Sequence, residues 1–416
     1  MQKYKTLKQA FHEDSSNSRF ENNKALAQRR REEASAFRSG IYLGDDELFY
    51  VVPQELAILT ERVLRLERKV SRLWRTLPPI ARISYTRDLI AQEIVNTNHI
   101  EGIRSTRKEV EEALLSIALP ESREQKRFAE FANLYLNLTT NNLAFPRNPT
   151  DIRKIYDDVI ARELEEGDTL DGELFRAGPV SLTDGQRTVH EGVNPESKIV
   201  EMLRSMIRFV ESEETPAIYS AILSHFLFEY IHPFYDGNGR VGRFLLALYL
   251  SEPLSVTTVL SLSRVIAENR SRYYKAFTEV EDKLNHGDAT YFLIEMMSFI
   301  RLAQENLEEE LSIRANVLAH GIDRIEEIGL ESEIEEGILF DLLQIHLFAT
   351  TKAENLSVIA ASIERSEVTA RKYLSRLEDA GYIRAVSRRP LYFALTEKTL
   401  NLVGYNTGKN TTEQDY

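Results

Sequence analysis

Residues 217–250 read AIYSAILSHFLFEYIHPFYDGNGRVGRFLLALYL: two apolar runs flank the segment His232 to Arg243. Ala217 to Ile231 is apolar almost all round, which predicts a buried helix. Phe244 to Leu250 predicts a second. Between them, Gly237 and Gly239 free the backbone to curl and turn N–H groups outward. A helix starting there points the positive end of its dipole at the same spot. Together these make a cradle for an anion such as a phosphate. Asn238 adds a side-chain donor. Arg240 and Arg243 lie three apart on one helical face, where both guanidinium groups can reach one polyphosphate. Asp236 can hold Mg²⁺, an ion that takes a carboxylate or two with phosphate oxygens and water. His232 sits at the rim and can exchange a proton near neutral pH. Base, metal ligand, cradle and cations within twelve residues read as a nucleotide-transfer site.

The chain around this stretch is mostly helical by pattern. After Pro53, apolar residues Leu56, Leu59, Val63, Leu66, Val70 and Leu73 recur every three or four positions. Pro78-Pro79 stops that helix. Further helical patterns start near Ile80 and cover Lys108 to Ile117, Phe128 to Leu138, Ile152 to Glu165 and Ile199 to Val210. Leu260 to Val280 and Tyr291 to Leu311 complete the helical region. The exception is 175–193. Phe175 to Leu182 reads as extended, Asp184-Gly185 is a hairpin signal and Thr188-Val189-His190 is the return strand. It is the one hairpin expected there. From about Glu335 come three helices (Gly337 to Phe348, Leu356 to Ile363, Ser366 to Ala380) and two strands around Arg388-Arg389-Pro390. Ser366 is a candidate N-cap and Gly381 a helix stop. This order resembles a winged helix-turn-helix. The expected fold class is all-α with a small β-hairpin, plus that C-terminal module. The expected division is a polar N-terminal arm at 1–40, a helical domain at 41–330, the winged helix at 331–400 and a flexible tail at 401–416.

The chain has 416 residues, 43% hydrophobic and 28% charged, which excludes a mostly disordered or fibrous protein. Its net charge of −13 disfavours wrapping nucleic acid as a whole. The absence of cysteine excludes disulfide frameworks, zinc–thiolate sites and cysteine nucleophiles. No signal peptide or membrane span is legible, so a soluble cytoplasmic protein is the expectation.

His232 to Arg243 resembles the Fic motif, His-Pro-Phe-x-(Asp/Glu)-Gly-Asn-Gly-Arg-x-x-Arg, at every specified position. The flanks resemble that family too: Phe175-Arg176 with its hairpin, His225 and Phe228-Glu229-Tyr230-Ile231 before the motif, and Asn269-Arg270 with Tyr273-Tyr274 after it. The resemblance covers roughly residues 45 to 310. It implies transfer of AMP from ATP, with Mg²⁺, to a Ser, Thr or Tyr hydroxyl of a protein. By resemblance His232 is the base and Asp236 holds the metal. Gly237, Asn238 and Gly239 cradle phosphates, Arg240 supports them, and Arg243 grips the γ-phosphate. Phe234 is a core anchor. The flap residues Thr188, Val189 and His190 pin the target by strand addition.

Thr97-Asn98-His99-Ile100-Glu101-Gly102 matches (Ser/Thr)-x-x-x-Glu-(Gly/Asn), the Fic inhibitory helix, here near 85–102. The implied brake is a salt bridge from Glu101 to Arg243 that occupies the cation needed for ATP. The local alternative is a capped helix end with a solvated glutamate. In some Fic proteins the same glutamate orients a water that removes AMP, so a de-AMPylase is an open alternative. A DNA-binding regulator whose Fic core senses ATP is another, through Arg371, Lys372, Arg376, Arg384, Arg388 and Arg389. Glu364, Glu367, Glu378 and Asp379 lie among those cations, and winged helices also dock proteins. Expected partners are an unidentified target protein, the chain itself as a self-modification target, and a second copy in a homodimer.

Overall fold

The computed structural model describes residues 3–118, 126–160, 170–183 and 188–405. The chain divides into two compact units. One is Met1–Arg68 with Ile90–Glu305, and the other is Lys69–Leu89 with Asn306–Tyr416. Among the described residues no helix is long and apolar enough to cross a membrane.

The first unit is built on helix Ala217–Ile231, buried along nearly its whole length as its uniform apolarity requires. It packs against helices Glu196–Glu211 and Asn238–Leu250. Helix Pro149–Val159 packs on the last of these and on Ala129–Thr139. It starts at Asn148, whose side chain accepts from the Asp151 N–H, with Pro149 in the first turn. The flap strands Ser181–Thr183 and Thr188–Glu191 pair antiparallel, Leu182 facing His190. The turn expected at Asp184-Gly185 lies outside the described residues, as does the C-terminal part of the helix expected to reach Glu165.

Three expectations need correction. The polar stretch 1–40 is more than the solvated arm or short helix expected of it. It folds as helices Leu7–Glu13 and Arg19–Arg31, then enters a strand. Thr6 and Gln9 form a capping box for the first helix, and Leu7, Phe11 and Ala27 are buried. Three apolar anchors among many charges were too sparse to read as an amphipathic pattern. Arg30 and Arg31 pair with Asp288 (2.9 Å) and Asp46 (3.1 Å). Second, the flap is not the one hairpin: Ala36–Leu43 pairs with Asp46–Val51, turning at Gly44 with φ +63°. Third, the helix expected over Leu260 to Val280 is two, Leu262–Glu268 and Arg270–Glu281, preceded by the short helix Val256–Val259. The Asn269 side chain donates to the Val265 carbonyl, the local competition with helix bonding typical of asparagine.

Helix Thr290–Glu327 runs 38 residues, well past the expected end near Leu311. Leu311, Leu318 and Ile325 stay buried at spacings of seven, and an i,i+4 pair such as Glu310–Arg314 (2.5 Å) stabilises the charged faces. In the second unit helices Glu333–Phe348, Leu356–Ser362 and Glu367–Asp379 accompany a three-stranded antiparallel sheet. Its order is Glu354–Asn355, Leu391–Leu395, Ile383–Arg388. Ser366 caps the third helix by accepting from the Thr369 N–H, and Gly381 ends it at φ +76°. The segment expected to be loose from Asn401 is ordered at its start: Glu397–Leu402 is helical and Val403 is buried. Residues 406–416 lie outside the described residues.

Candidate functional site

His232 is the C-cap of helix Ala217–Ile231, in the left-handed region at φ 51°, ψ 62°. Its N–H donates to the Phe228 carbonyl at 2.9 Å. Its Nδ1 lies 3.3 Å from the Glu229 carbonyl, which can only accept, so Nδ1 carries the proton and Nε2 keeps the lone pair. Burial, then the neighbouring His190 and Arg176, hold the imidazole down at about 4. It is therefore neutral at pH 7, as a base must be.

The segment after His232 is fixed from inside. Phe234 is fully buried and stacks on Tyr156 at 3.7 Å between centroids. Asn238 clamps that residue at both ends: Oδ1 accepts from the Phe234 N–H at 3.0 Å and Nδ2 donates to its carbonyl at 2.8 Å. The Asn238 side chain thus staples the loop, and this is a role sequence reading did not assign. Gly237 sits at φ +81°, and a Cβ there would overlap Ile160, so both conformation and space require glycine. Helix Asn238–Leu250 begins at once. Its first turn leaves main-chain N–H groups without intrahelical partners, and these face the spot expected to hold an anion.

The cations divide. Arg240 is 1% exposed and lies 3.6 Å from Asp236, whose carboxylate is largely exposed. Arg243 is the centre of the second constellation. Its Nε donates to Thr97 Oγ1 at 2.7 Å, and its Nη2 donates to the Thr97 carbonyl at 3.1 Å and to Glu101 Oε1 at 2.8 Å. Burial pulls this guanidinium down, while Glu101, ahead of Tyr273 and Glu229, more than offsets that, so the net shift is upward. A Cβ on Gly239 would overlap the Glu101 carboxylate. Glu101 therefore lies against the helix N-terminus as well as on Arg243.

Glu101 is held there by a helix end. Helix Pro79–Ile100 closes with the Ile103 N–H bonded to the Asn98 carbonyl and the Gly102 N–H bonded to the His99 carbonyl. This is a Schellman closure with Gly102 at φ +74°. Arg270 Nη2 donates to the Ile100 carbonyl at 2.7 Å and pins the same end. Thr97, Glu101 and Gly102 thus meet Arg243 and Gly239 as one cluster.

Two side chains at the site, the buried Arg176 and the half-buried Glu229, lie in the flanks of the motif and have no role assigned from sequence. Arg176 is fully buried and donates to four main-chain carbonyls: His232 (2.8 Å), Val193 (2.8 Å), Gly178 (2.7 Å) and Ile231 (3.3 Å). It ties the motif loop to the segment after the flap. We expect Arg176→Met to lower the stability by several kcal/mol, since each orphaned buried carbonyl costs about 1–3 kcal/mol. Denaturant unfolding at constant m-value measures this. Glu229, the second, is pushed up to about 8 by burial, with Arg243 opposing and Glu101 adding. Its Oε1 has no hydrogen-bond partner among the described residues and lies where a Cβ on Gly242 would fall.

Of the flap residues, His190 lies 6.1 Å from His232 between ring centroids, while the side chains of Thr188 and Val189 lie outside the described residues. Asp236 offers one exposed carboxylate at the mouth of the cradle. Among the described residues no three His, Asp or Glu gather as metal ligands. That donor set fits Mg²⁺ held chiefly by phosphate oxygens and water. In the second unit the expected cations are exposed, but Arg371 pairs with Glu367 (4.0 Å) and Arg376 with Glu335 (3.5 Å) and Glu331 (3.7 Å).

Residues 146–250 match the model of the Fic/DOC family. Over 89 residues, 21% of this chain and 26% of the relative, the sequence is 37% identical to "Probable protein adenylyltransferase aq_aa38" from Aquifex aeolicus. The chain thus spans about a quarter of the length of that curated relative. Among solved structures, a Fic family protein from Desulfovibrio desulfuricans shares the fold. Its TM-score is 0.52 at 16% identity, covering 84% of this chain and 98% of that one. A Fic domain containing signaling protein from Bacteroides thetaiotaomicron aligns with a TM-score of 0.42 at 18% identity, covering 61% of this chain and 95% of its own.

Proposed function

Residues 146–250 being a Fic/DOC domain, we propose that the chain is an autoinhibited protein adenylyltransferase. It moves AMP from ATP to a Ser, Thr or Tyr hydroxyl of a protein, with its own hydroxyls among the possible acceptors. The observation that carries the reading is the Glu101 carboxylate, seated on Arg243 at 2.8 Å and against Gly239. A carboxylate resting against a helix N-terminus and a buried arginine supports the reading that a terminal phosphate belongs there and that Glu101 keeps it out.

The chemistry follows from the chain's own groups. The acceptor oxygen attacks the α-phosphorus, the bond to the β-phosphate oxygen breaks, and pyrophosphate leaves. The hydroxyl proton goes to Nε2 of His232, while Nδ1–H stays on the Glu229 carbonyl and fixes the ring. First-turn N–H groups at Gly237, Asn238 and Gly239 and the guanidinium groups of Arg240 and Arg243 neutralise the polyphosphate. Asp236 would hold Mg²⁺, which supplies further charge neutralisation. With Glu101 on Arg243, the γ-phosphate meets a carboxylate instead of a cation.

ATP labelled in the α-phosphate separates this from phosphate transfer: protein should gain α-label and no γ-label. Incorporation of γ-label would sink the reading. The pH dependence has a definite sign. A base must be unprotonated, so kcat/KM of a Glu101→Gly enzyme should rise with pH through about 4. An unperturbed imidazole would place that limb near ~6.5. A limb at the unperturbed position would remove the burial argument for His232.

A further inference from the structure

The flap strand is tied down by one side chain. His190 Nδ1 lies 2.6 Å from Glu281 Oε2, and its Nε2 lies 2.9 Å from the Tyr230 carbonyl. A main-chain carbonyl can only accept, and so can a carboxylate. A neutral imidazole has one N–H and satisfies one of them, whereas an imidazolium satisfies both. The ring is 8% exposed and Glu281 is 21% exposed, so water is a poor substitute for either bond. The anchors belong to two other elements: Glu281 ends helix Arg270–Glu281, and Tyr230 stands two residues before His232.

We propose that His190 is a latch, bonded at both ring nitrogens to acceptors on two other elements, that fixes the flap strand Thr188–Glu191 beside His232. Target positioning by the flap rests on the transferase reading above, but the latch itself does not. Glu281 supplies one acceptor and also helps push the Tyr230 phenol up, after burial, so that phenol stays neutral. His232, 6.1 Å away, is depressed by His190, and Arg176 depresses it further. On the flap itself Glu191 is exposed. His190 is thus a positioning residue that also tunes the base without touching substrate.

The test uses the full chain labelled with ¹⁵N-histidine, with His190→Gln assigning the His190 signals. Both ring nitrogens of His190 should be held in hydrogen bonds. Hydrogen exchange of the amides at 188–193, normalised for intrinsic rates, should quicken about tenfold or more in His190→Gln. Glu281→Gln, which keeps the shape but loses the anion, should quicken the same amides. A ring with only one bonded nitrogen, or flap exchange untouched by His190→Gln, would overturn the proposal. If these readouts hold while no AMP transfer is found, the latch stands and the enzymatic reading falls.

Discussion

Replacing Glu101 by glycine should raise the rate of AMP transfer about a hundredfold or more. Arg243 is 3% exposed and its Nη2 is engaged by Glu101 at 2.8 Å. Breaking such a pair from one side costs on the order of 3–5 kcal/mol, and ATP must do so to reach the guanidinium. Only about 2.7 kcal/mol of that is needed for a hundredfold effect. The substitution removes the carboxylate and leaves the rest of the clamp. Thr97 still receives Nε at 2.7 Å, and Gly102 still closes the helix in the left-handed region. Arg243 nevertheless loses its carboxylate partner, so the melting temperature should fall, while the gain should appear in initial rates of α-labelled AMP incorporation. The same variant tests the reverse chemistry. If Glu101 orients a water that removes AMP, wild type strips a pre-AMPylated protein and Glu101→Gly does not.

The second large effect is the loss of transfer in His232→Asn, tested in the Glu101→Gly background. Positioned proton transfer contributes typically ~10²–10⁴-fold, so a fall of about a thousandfold is expected. Asparagine is the informative replacement because residue 232 sits at φ 51°, which asparagine tolerates better than alanine. The loop should survive, since Asn238 and Arg176 hold it through main-chain bonds that do not involve the imidazole. ATP binding by calorimetry should stay within a few-fold while transfer disappears. Equal loss of ATP binding and transfer would make His232 a structural cap.

The site was legible to the extent that its chemistry is local in the sequence. The residues expected to act as cradle, base and cations fall within twelve positions, at the junction of two apolar helices and in the first turns of the second. Glu101 was readable through its motif, and the distance to Arg243, 142 positions away, could be stated only as an implication. Asn238 shows where residue type misleads. An amide beside two glycines reads as a ligand donor, but its side chain serves the Phe234 main chain. Arg176 and Glu229 were quoted among the flanks without a role, because their partners are carbonyls and burial rather than a spacing pattern. The N-terminal helices were hidden for the same reason. Their anchors, Leu7 and Phe11 and the Arg30–Asp288 pair, gain meaning only against residues far along the chain. The hairpin at 36–51 alternates poorly in sequence, since Leu48, Phe49, Tyr50 and Val51 are all buried. A strand covered on both faces lacks the period-two signal.

The most direct test of a brake seated in the phosphate cradle is intact-protein mass spectrometry after incubation with ATP and Mg²⁺. Wild type, Glu101→Gly and Glu101→Gly with His232→Asn would be run side by side. The account predicts an added adenylyl group on Glu101→Gly and none on the other two. Equal addition on wild type and Glu101→Gly, or addition that survives the loss of His232, would contradict it.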